Sequence, residues 1–206
     1  MIDVENGGTL CRLTINRPDK ANSLTADMLE ALCTGIEDAY DARAILLTGL
    51  GKVFSAGADL EAAKAGLAKS PLWERLSGAL ARHPGLTIAA LNGTVAGGAM
   101  GMVLACDLRI AVPGTKVFYP VMKLGFLPQP SDPARLATLV GSSRAKMILM
   151  AGQKIATEDA LAWGLIDEIT DQDNLLIRAT ELTQDVCGAT PEHVRAIKGL
   201  IAQTLP

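Results

Sequence analysis

Short, mainly apolar runs recur along the chain at 10–15, 44–48, 86–91 and 108–112. Runs of this length, bounded by turn residues, read as strands buried in a sheet. Helical patterns lie between and after them, near 26–40, 71–82 and 97–106. In the first of these, Met28, Leu29, Leu32 and Cys33 fall on one face. Ser70-Pro71 and Thr190-Pro191 read as helix starts, and Gly164 after Trp163 as a helix stop. From residue 132 onward the pattern is mostly helical. Strand and helix therefore alternate as in an α/β protein, and alternation alone suggests a doubly wound sheet. No low-complexity segment or long linker interrupts it, so 206 residues imply a single domain, 1–206.

Two junctions stand out chemically. Leu86-Thr-Ile-Ala-Ala-Leu91 runs into Asn92-Gly-Thr-Val-Ala-Gly-Gly98 and then into an uncharged stretch up to Asp107. This is a strand, a glycine turn and a buried helix. Glycine has no Cβ, so a ligand atom can approach the backbone closely at Gly97 and Gly98. The first amides of a helix have no intrahelical partner and sit at the positive end of its dipole. No Gly-Lys-Ser/Thr follows the glycines, and the spacing does not suit a dinucleotide fingerprint. Tight packing of helix on sheet is the competing reading. The second junction, Val53-Phe-Ser-Ala-Gly-Ala-Asp-Leu60, follows the 44–48 strand and a Gly-Leu-Gly turn, with small residues at Ala56, Gly57 and Ala58. Two such turns facing one another can each give one N–H to a single carbonyl oxygen, forming an oxyanion hole.

These residues resemble the crotonase superfamily, the enoyl-CoA hydratase/isomerase family. Asn16-Arg-Pro-Asp-Lys-Ala-Asn-Ser-Leu24 resembles its first turn. Phe54–Leu60 and Asn92–Gly98 resemble its two oxyanion segments. Gly141–Gly152 and Ala160–Asp167 resemble its later helices. The order holds from about residue 10 to about residue 200. The resemblance implies a ClpP/crotonase-like spiral of ββα units over 1–131, with a mainly helical part over 132–206. It implies that the N–H groups of Ala58 and Gly98 bind the thioester carbonyl of an acyl-CoA. Ala56, Asp59, Leu60 and Gly97 would then lie along coenzyme A, and Lys20 and Ala21 near its phosphate end. Coenzyme A would be part of the substrate, with no covalently bound cofactor and no metal. For Lys20 a solvated turn lysine is the competing reading; for Asp59 it is a helix N-cap.

The departures from the family pattern bear on mechanism. Hydratases of this family use two glutamates. The position of the first holds Gly101, and that of the second, just after a proline, holds Val121. Neither can carry a proton, so the two-carboxylate mechanism is closed. Where some relatives place an aspartate there is Gln129, which can orient a water. Asp132 and Glu74 are the nearby carboxylates. Asp132 precedes Pro133 and a helical run, so it reads first as an N-cap; Glu74 reads first as a surface carboxylate. Tyr119 lines the acyl pocket or packs as a strand aromatic. His83 and His193 read as structural or solvated, and Lys123 as exposed.

Composition narrows the classes. A net charge of −3 offers no basic face for nucleic acid. The apolar stretch at 86–106 is broken by Asn92 and rich in glycine, so it reads as core strand and helix and not as a membrane span. Cys11, Cys33, Cys106 and Cys187 show neither a disulfide framework nor metal spacing. With an acidic N-terminus that lacks a signal-peptide pattern, they point to the cytoplasm. The family resemblance implies a homo-oligomer, a trimer or a dimer of trimers. Its chains usually continue past the point matching Pro206, which leaves the assembly and part of the CoA site open.

The leading expectation is an acyl-CoA enzyme that stabilises a thioester enolate with a non-standard proton carrier. Hydration, isomerisation, decarboxylation and thioester hydrolysis all remain open. The alternative is a catalytically silent CoA-ester-binding or assembly paralogue. A ClpP-like peptidase needs a Ser-His-Asp set, and neither histidine has a recognisable setting for one.

Overall fold

A computed structural model describes residues 1–202. Its strands are β1 (Ile2–Asn6), β2 (Leu10–Ile15), β3 (Ala44–Gly49), β4 (Val53–Ser55), β5 (Leu86–Leu91), β6 (Thr94–Ala96), β7 (Leu108–Ala111), β8 (Lys116–Phe118), β9 (Ile155–Ala156) and β10 (Glu168–Ile169). Its α-helices are α1 (Ala26–Asp38), α2 (Leu60–Lys64), α3 (Leu72–Arg82), α4 (Ala99–Ala105), α5 (Val121–Leu124), α6 (Asp132–Val140), α7 (Ser142–Leu149), α8 (Thr157–Ala162), α9 (Leu175–Glu181), α10 (Gln184–Gly188) and α11 (Pro191–Ala202). The four strands and three helices read from apolar patterning all form, within two residues at each end.

The strands build two sheets. One has the order β1-β2-β3-β5-β7-β10, the other β4-β6-β8-β9. β3, β5 and β7 run parallel in the first, and β4, β6 and β8 run parallel in the second. Each strand–strand–helix repeat therefore adds one strand to each sheet and moves one place along both. That is the ββα spiral of the crotonase fold. Alternation alone suggested a doubly wound single sheet instead, because β4, β6 and β8 have three residues each, too few to show a period of two.

Every residue of β3 is buried, and its side chains alternate between two cores. Ile45 and Leu47, with Ala89 and Leu91 of β5, pack with Leu29, Leu32, Leu76 and Leu80 of α1 and α3. Leu46, Ile88 and Ile110 point the other way, against Leu175 and Ala179 of α9. All four α1 residues assigned to a buried face, Met28, Leu29, Leu32 and Cys33, are buried. α4 is buried along its whole length, as its lack of charge requires. From Asp132 to residue 202 the chain is mainly helical, with the two-residue strands β9 and β10 and short turns between the helices. Among the described residues no helix is long and apolar enough to cross a membrane.

Candidate active site

Two turns at the strand–helix junctions meet behind the second sheet. The first is stapled by two buried asparagines. The Asn22 side-chain amide donates to Leu50 O at 2.9 Å and Val53 O at 2.6 Å. That of Asn92 donates to Gly51 O at 2.8 Å, while its oxygen accepts the Gly49 N–H at 3.0 Å. Ser55 Oγ then bonds Asn22 O at 2.8 Å and accepts the Gly57 N–H at 3.2 Å. These bonds fix where the 55–58 turn goes. Asn22, Ser55 and Asn92 are buried polar residues whose roles sequence reading missed; their burial next to turn glycines is visible only in three dimensions.

Ala58 forms a single parallel bridge with Leu24. Leu24 N–H donates to Gly57 O at 2.8 Å, and Asp59 N–H donates to Leu24 O at 2.9 Å. In such a bridge the flanking residues make the bonds, so the N–H of Ala58 itself faces away from Leu24. The second turn packs against the first from another side. Gly57 has φ +89°, and a Cβ there would lie 2.8 Å from Ala96 O and 3.3 Å from Gly98 N. Gly57 must therefore be glycine both for its left-handed backbone and for this close approach. Gly97 N–H is taken by Phe118 O at 3.2 Å. Among the described residues, neither the Ala58 N–H nor the Gly98 N–H donates a hydrogen bond. Both residues are half-buried, so the gap remains open to solvent.

The side of α4 beyond Gly98 is lined by groups from three elements. The Trp73 ring of α3 covers Gly98: a Cβ there would lie 3.1 Å from it. The indole N–H is tied to Leu67 O at 2.8 Å. One turn further along α4, a Cβ on Gly101 would lie 2.9 Å from Asp132 Oδ1 and 3.2 Å from Oδ2. Tyr119 donates its hydroxyl to Asp132 Oδ2 at 3.0 Å and accepts the Gln129 N–H at 3.4 Å. Asp132 Oδ1 is buried and, among the described residues, has no hydrogen-bond partner; the Arg135 guanidinium stands 4.0 Å away. Burial raises the Asp132 carboxyl to about 6, outweighing the lowering by the Tyr119 hydroxyl and Arg135; the Glu74 charge adds to the rise. Burial also pushes the Tyr119 phenol above its ordinary value, with the Asp132 charge adding to it.

Two expectations are corrected. Asp132 does not cap α6. Ser131 holds the cap position, Asp132 is the first helical residue, and its carboxyl turns inward toward α4. Pro133 in the first turn keeps the helix start that the sequence indicates. Glu74 is not a free surface carboxylate: it accepts hydrogen bonds from Ser131 Oγ and from Ser131 N–H, the latter at 3.3 Å. Gln129 is half-buried, and its side-chain amide approaches Ala68 O at 3.5 Å. The fold thus gathers Asp132, Gln129, Glu74 and Tyr119 beside α4. Val121, which opens α5, is buried.

At the outer rim, Asp59 caps α2 by accepting the N–H groups of Glu61 and Ala62, at 3.1 and 3.3 Å, and also binds Arg17 at 2.8 Å. Those bonds hold its carboxyl below the usual range. Ala21 O accepts the Ala56 N–H at 3.0 Å. Ala56, Leu60 and Lys20 are exposed along the same edge. His83 lies apart, buried, with Nε2 bonded to Ala39 O and Nδ1 accepting the Gly85 N–H; this is the structural role expected of it. His193 borders a cavity of about 750 Å³ under α11 together with Leu86, Leu108, Val194 and Ile197. Two of the charges there, Lys198 and Asp107, bind one another at 2.6 Å, and Asp185 lines it as well. Among the described residues, no group of three His, Cys, Asp or Glu side chains is placed to hold a metal.

Comparison with known proteins agrees with this architecture. The family model described as enoyl-CoA hydratase/isomerase matches residues 5–205. The chain is 32% identical to the short-chain-enoyl-CoA hydratase of Clostridium acetobutylicum, over 96% of this chain and 79% of that protein. It is 31% identical to a carnitinyl-CoA dehydratase of Salmonella enteritidis, over 98% and 80%. The crystal structure of an enoyl-CoA hydratase from Bacillus anthracis superposes with a TM-score of 0.90 at 29% identity, covering 98% of this chain and 82% of that one. The chain belongs to the enoyl-CoA hydratase/isomerase family and has the crotonase fold.

Proposed function

We propose that the chain is an acyl-CoA enzyme in which the N–H groups of Ala58 and Gly98 together grip the thioester carbonyl oxygen. The reading rests on those two groups. They are half-buried backbone donors, on turns held by neighbouring bonds, and among the described residues neither has an acceptor within the protein. As an enolate forms, negative charge collects on that oxygen, and donors already in place stabilise it without reorganisation. Loss of one such donor typically costs about 3 kcal/mol of transition-state stabilisation.

In this reading coenzyme A runs along the exposed Ala56 and Leu60 and the half-buried Gly97, with its phosphates toward Lys20 and Ala21. Asp59 holds the rim in shape through Arg17 and the start of α2. Gly101 and Val121, which stand at the two glutamate positions that the resemblance implies, move no proton. The names of the relatives, a short-chain hydratase and a dehydratase of CoA esters, support a CoA thioester as substrate. Met122, Leu124, Leu127 and Met150 expose 58 to 89% of their surfaces on and beside α5 and α7. This apolar face supports assembly with further copies of the chain, which sedimentation would measure.

The test compares CoA derivatives that differ at one atom. Acetoacetyl-CoA should bind with growth of its enolate absorbance. S-butyl-CoA, a thioether without the carbonyl, should bind at least tenfold more weakly than butyryl-CoA. Equal affinity for thioester and thioether overturns the reading. Binding without turnover of any enoyl-CoA would favour a silent CoA-ester-binding paralogue.

A further inference from the structure

We propose that Asp132 is the proton-transfer group of this site, reaching from α6 into the place that a side chain at position 101 would fill from α4. The inference rests on the thioester being held at Ala58 and Gly98. Gly98 and Gly101 lie on one face of α4, one turn apart. Along the axis they are separated by roughly 4.5 Å, which is the reach of the first two carbons beyond a carbonyl. The Asp132 carboxyl lies against Gly101, its Oδ1 2.9 Å from where a Cβ would be. Any residue larger than glycine at 101 would collide with it. The absence of a side chain on α4 and the presence of a carboxyl from α6 are two halves of one arrangement.

The two oxygens of Asp132 differ. Oδ2 is held by the Tyr119 hydroxyl, which Gln129 N–H in turn positions. Among the described residues Oδ1 is buried without a hydrogen bond, with the Arg135 guanidinium 4.0 Å away, although a buried carboxylate oxygen is costly to leave without one. Among the described residues, the other candidates beside α4 are less suited to this work. Glu74 is committed to Ser131, and Gln129 cannot titrate. The raised carboxyl of Asp132, at about 6, suits a group that both takes and returns a proton near neutral pH.

The step balances without a co-reactant. Oδ1 removes a proton from the carbon next to the thioester carbonyl. The C–H electron pair forms the carbon–carbon double bond and the carbonyl π pair moves onto oxygen, giving the enolate held by the two N–H groups. The protonated Asp132, its proton exchanging with solvent, then gives a proton to the same carbon or, where a conjugated dienolate has formed, to the carbon two bonds further along. A single carboxylate thus exchanges protons or moves a double bond. Addition of water, which in this family draws on two carboxylates, falls outside its reach.

The experiment follows hydrogen exchange in D₂O. Wild-type protein is incubated with butyryl-CoA, and deuterium at the α-carbon is read by mass spectrometry, with binding measured in parallel by calorimetry. The expected result is exchange by the wild type and at least 100-fold slower exchange by Asp132→Asn, with butyryl-CoA affinity within threefold. Moving the carboxyl back to α4, in the double variant Gly101→Glu with Asp132→Gly, should recover at least tenfold over Asp132→Asn. Exchange by Asp132→Asn within threefold of wild type overturns the proposal and leaves the oxyanion reading standing. So does wild-type protein that binds butyryl-CoA without exchanging it. Failure of the wild type to bind any CoA thioester overturns both.

Discussion

The indole ring of Trp73 rests on the Cα of Gly98, and any Cβ at that position would stand 3.1 Å from the ring. The ring cannot easily yield, because its N–H is bonded to Leu67 O and the residue is only 3% exposed. Gly98→Ala should therefore displace the turn that carries the proposed oxyanion donor. Overpacking of this kind costs about 1–3 kcal/mol. For a domain of this size that is a fall in Tm of roughly 2–10 °C by calorimetry. Turnover of the best acyl-CoA should fall by about 10- to 1000-fold if one donor is misplaced. Wild-type turnover in Gly98→Ala would count against the donor role.

Asp132 should make the protein less stable as pH rises. Its folded carboxyl titrates near 6, against an ordinary value of 3.8. Between those values the folded state holds the proton more tightly than the unfolded one. The stabilisation is whole below about pH 3.8 and is lost as pH climbs to about 6. Asp132→Asn, which keeps the shape and removes the charge, should gain on wild type by about 3 kcal/mol across that window. Denaturant unfolding of both proteins from pH 4 to 8 measures it. The groups facing Asp132 are Tyr119, Arg135 and Glu74. A gain in stability paired with loss of proton exchange marks a residue retained for function.

His83 should act with the opposite sign. Its pKa is lowered, chiefly by burial. Its neutral ring fits its bonds, with Nε2 facing Ala39 O and Nδ1 accepting the Gly85 N–H at 3.1 Å. A proton on Nδ1 would break the second bond. The unfolded chain takes up that proton first, so stability falls as pH drops below about 6.5 toward the lowered folded value. His83→Gln should lose this dependence, and acyl-CoA binding should stay unchanged because the bonds of His83 go to Ala39 and Gly85 and to neither turn.

Asn92 should carry more stability than a turn residue ordinarily does. It is 4% exposed, and its amide serves Gly51 O and Val53 O while its oxygen serves Gly49 N–H. Asn92→Ala leaves the buried Gly49 N–H without its partner and takes a donor from Gly51 O and Val53 O, the latter still held by Asn22. At about 1–3 kcal/mol for a buried group left unsatisfied, a loss of about 1–3 kcal/mol is expected in urea unfolding. Butyryl-CoA affinity should fall with it, since the same bonds set the 55–58 turn. Intact affinity in a destabilised Asn92→Ala would separate the staple from the site.

The chain's own pattern determined a good deal. Buried strands β2, β3, β5 and β7 and the inner face of α1 follow from runs and periods of apolar residues, because burial is a local demand on each position. The small-residue turns at 56–58 and 97–98 announce themselves because only glycine or alanine leaves backbone amides uncovered. Tertiary structure decided the rest. Strands of three residues have no period to read, so the second sheet appears only when the spiral closes. Asp132 reads as a helix cap from its neighbours in sequence, but docking of α6 on α4 turns its carboxyl onto Gly101. Glu74 reads as a surface charge until Ser131 comes to meet it. Local sequence fixes which way a backbone bends; which side chain fills the space left by a distant glycine depends on how whole helices pack, and no neighbouring residue encodes that.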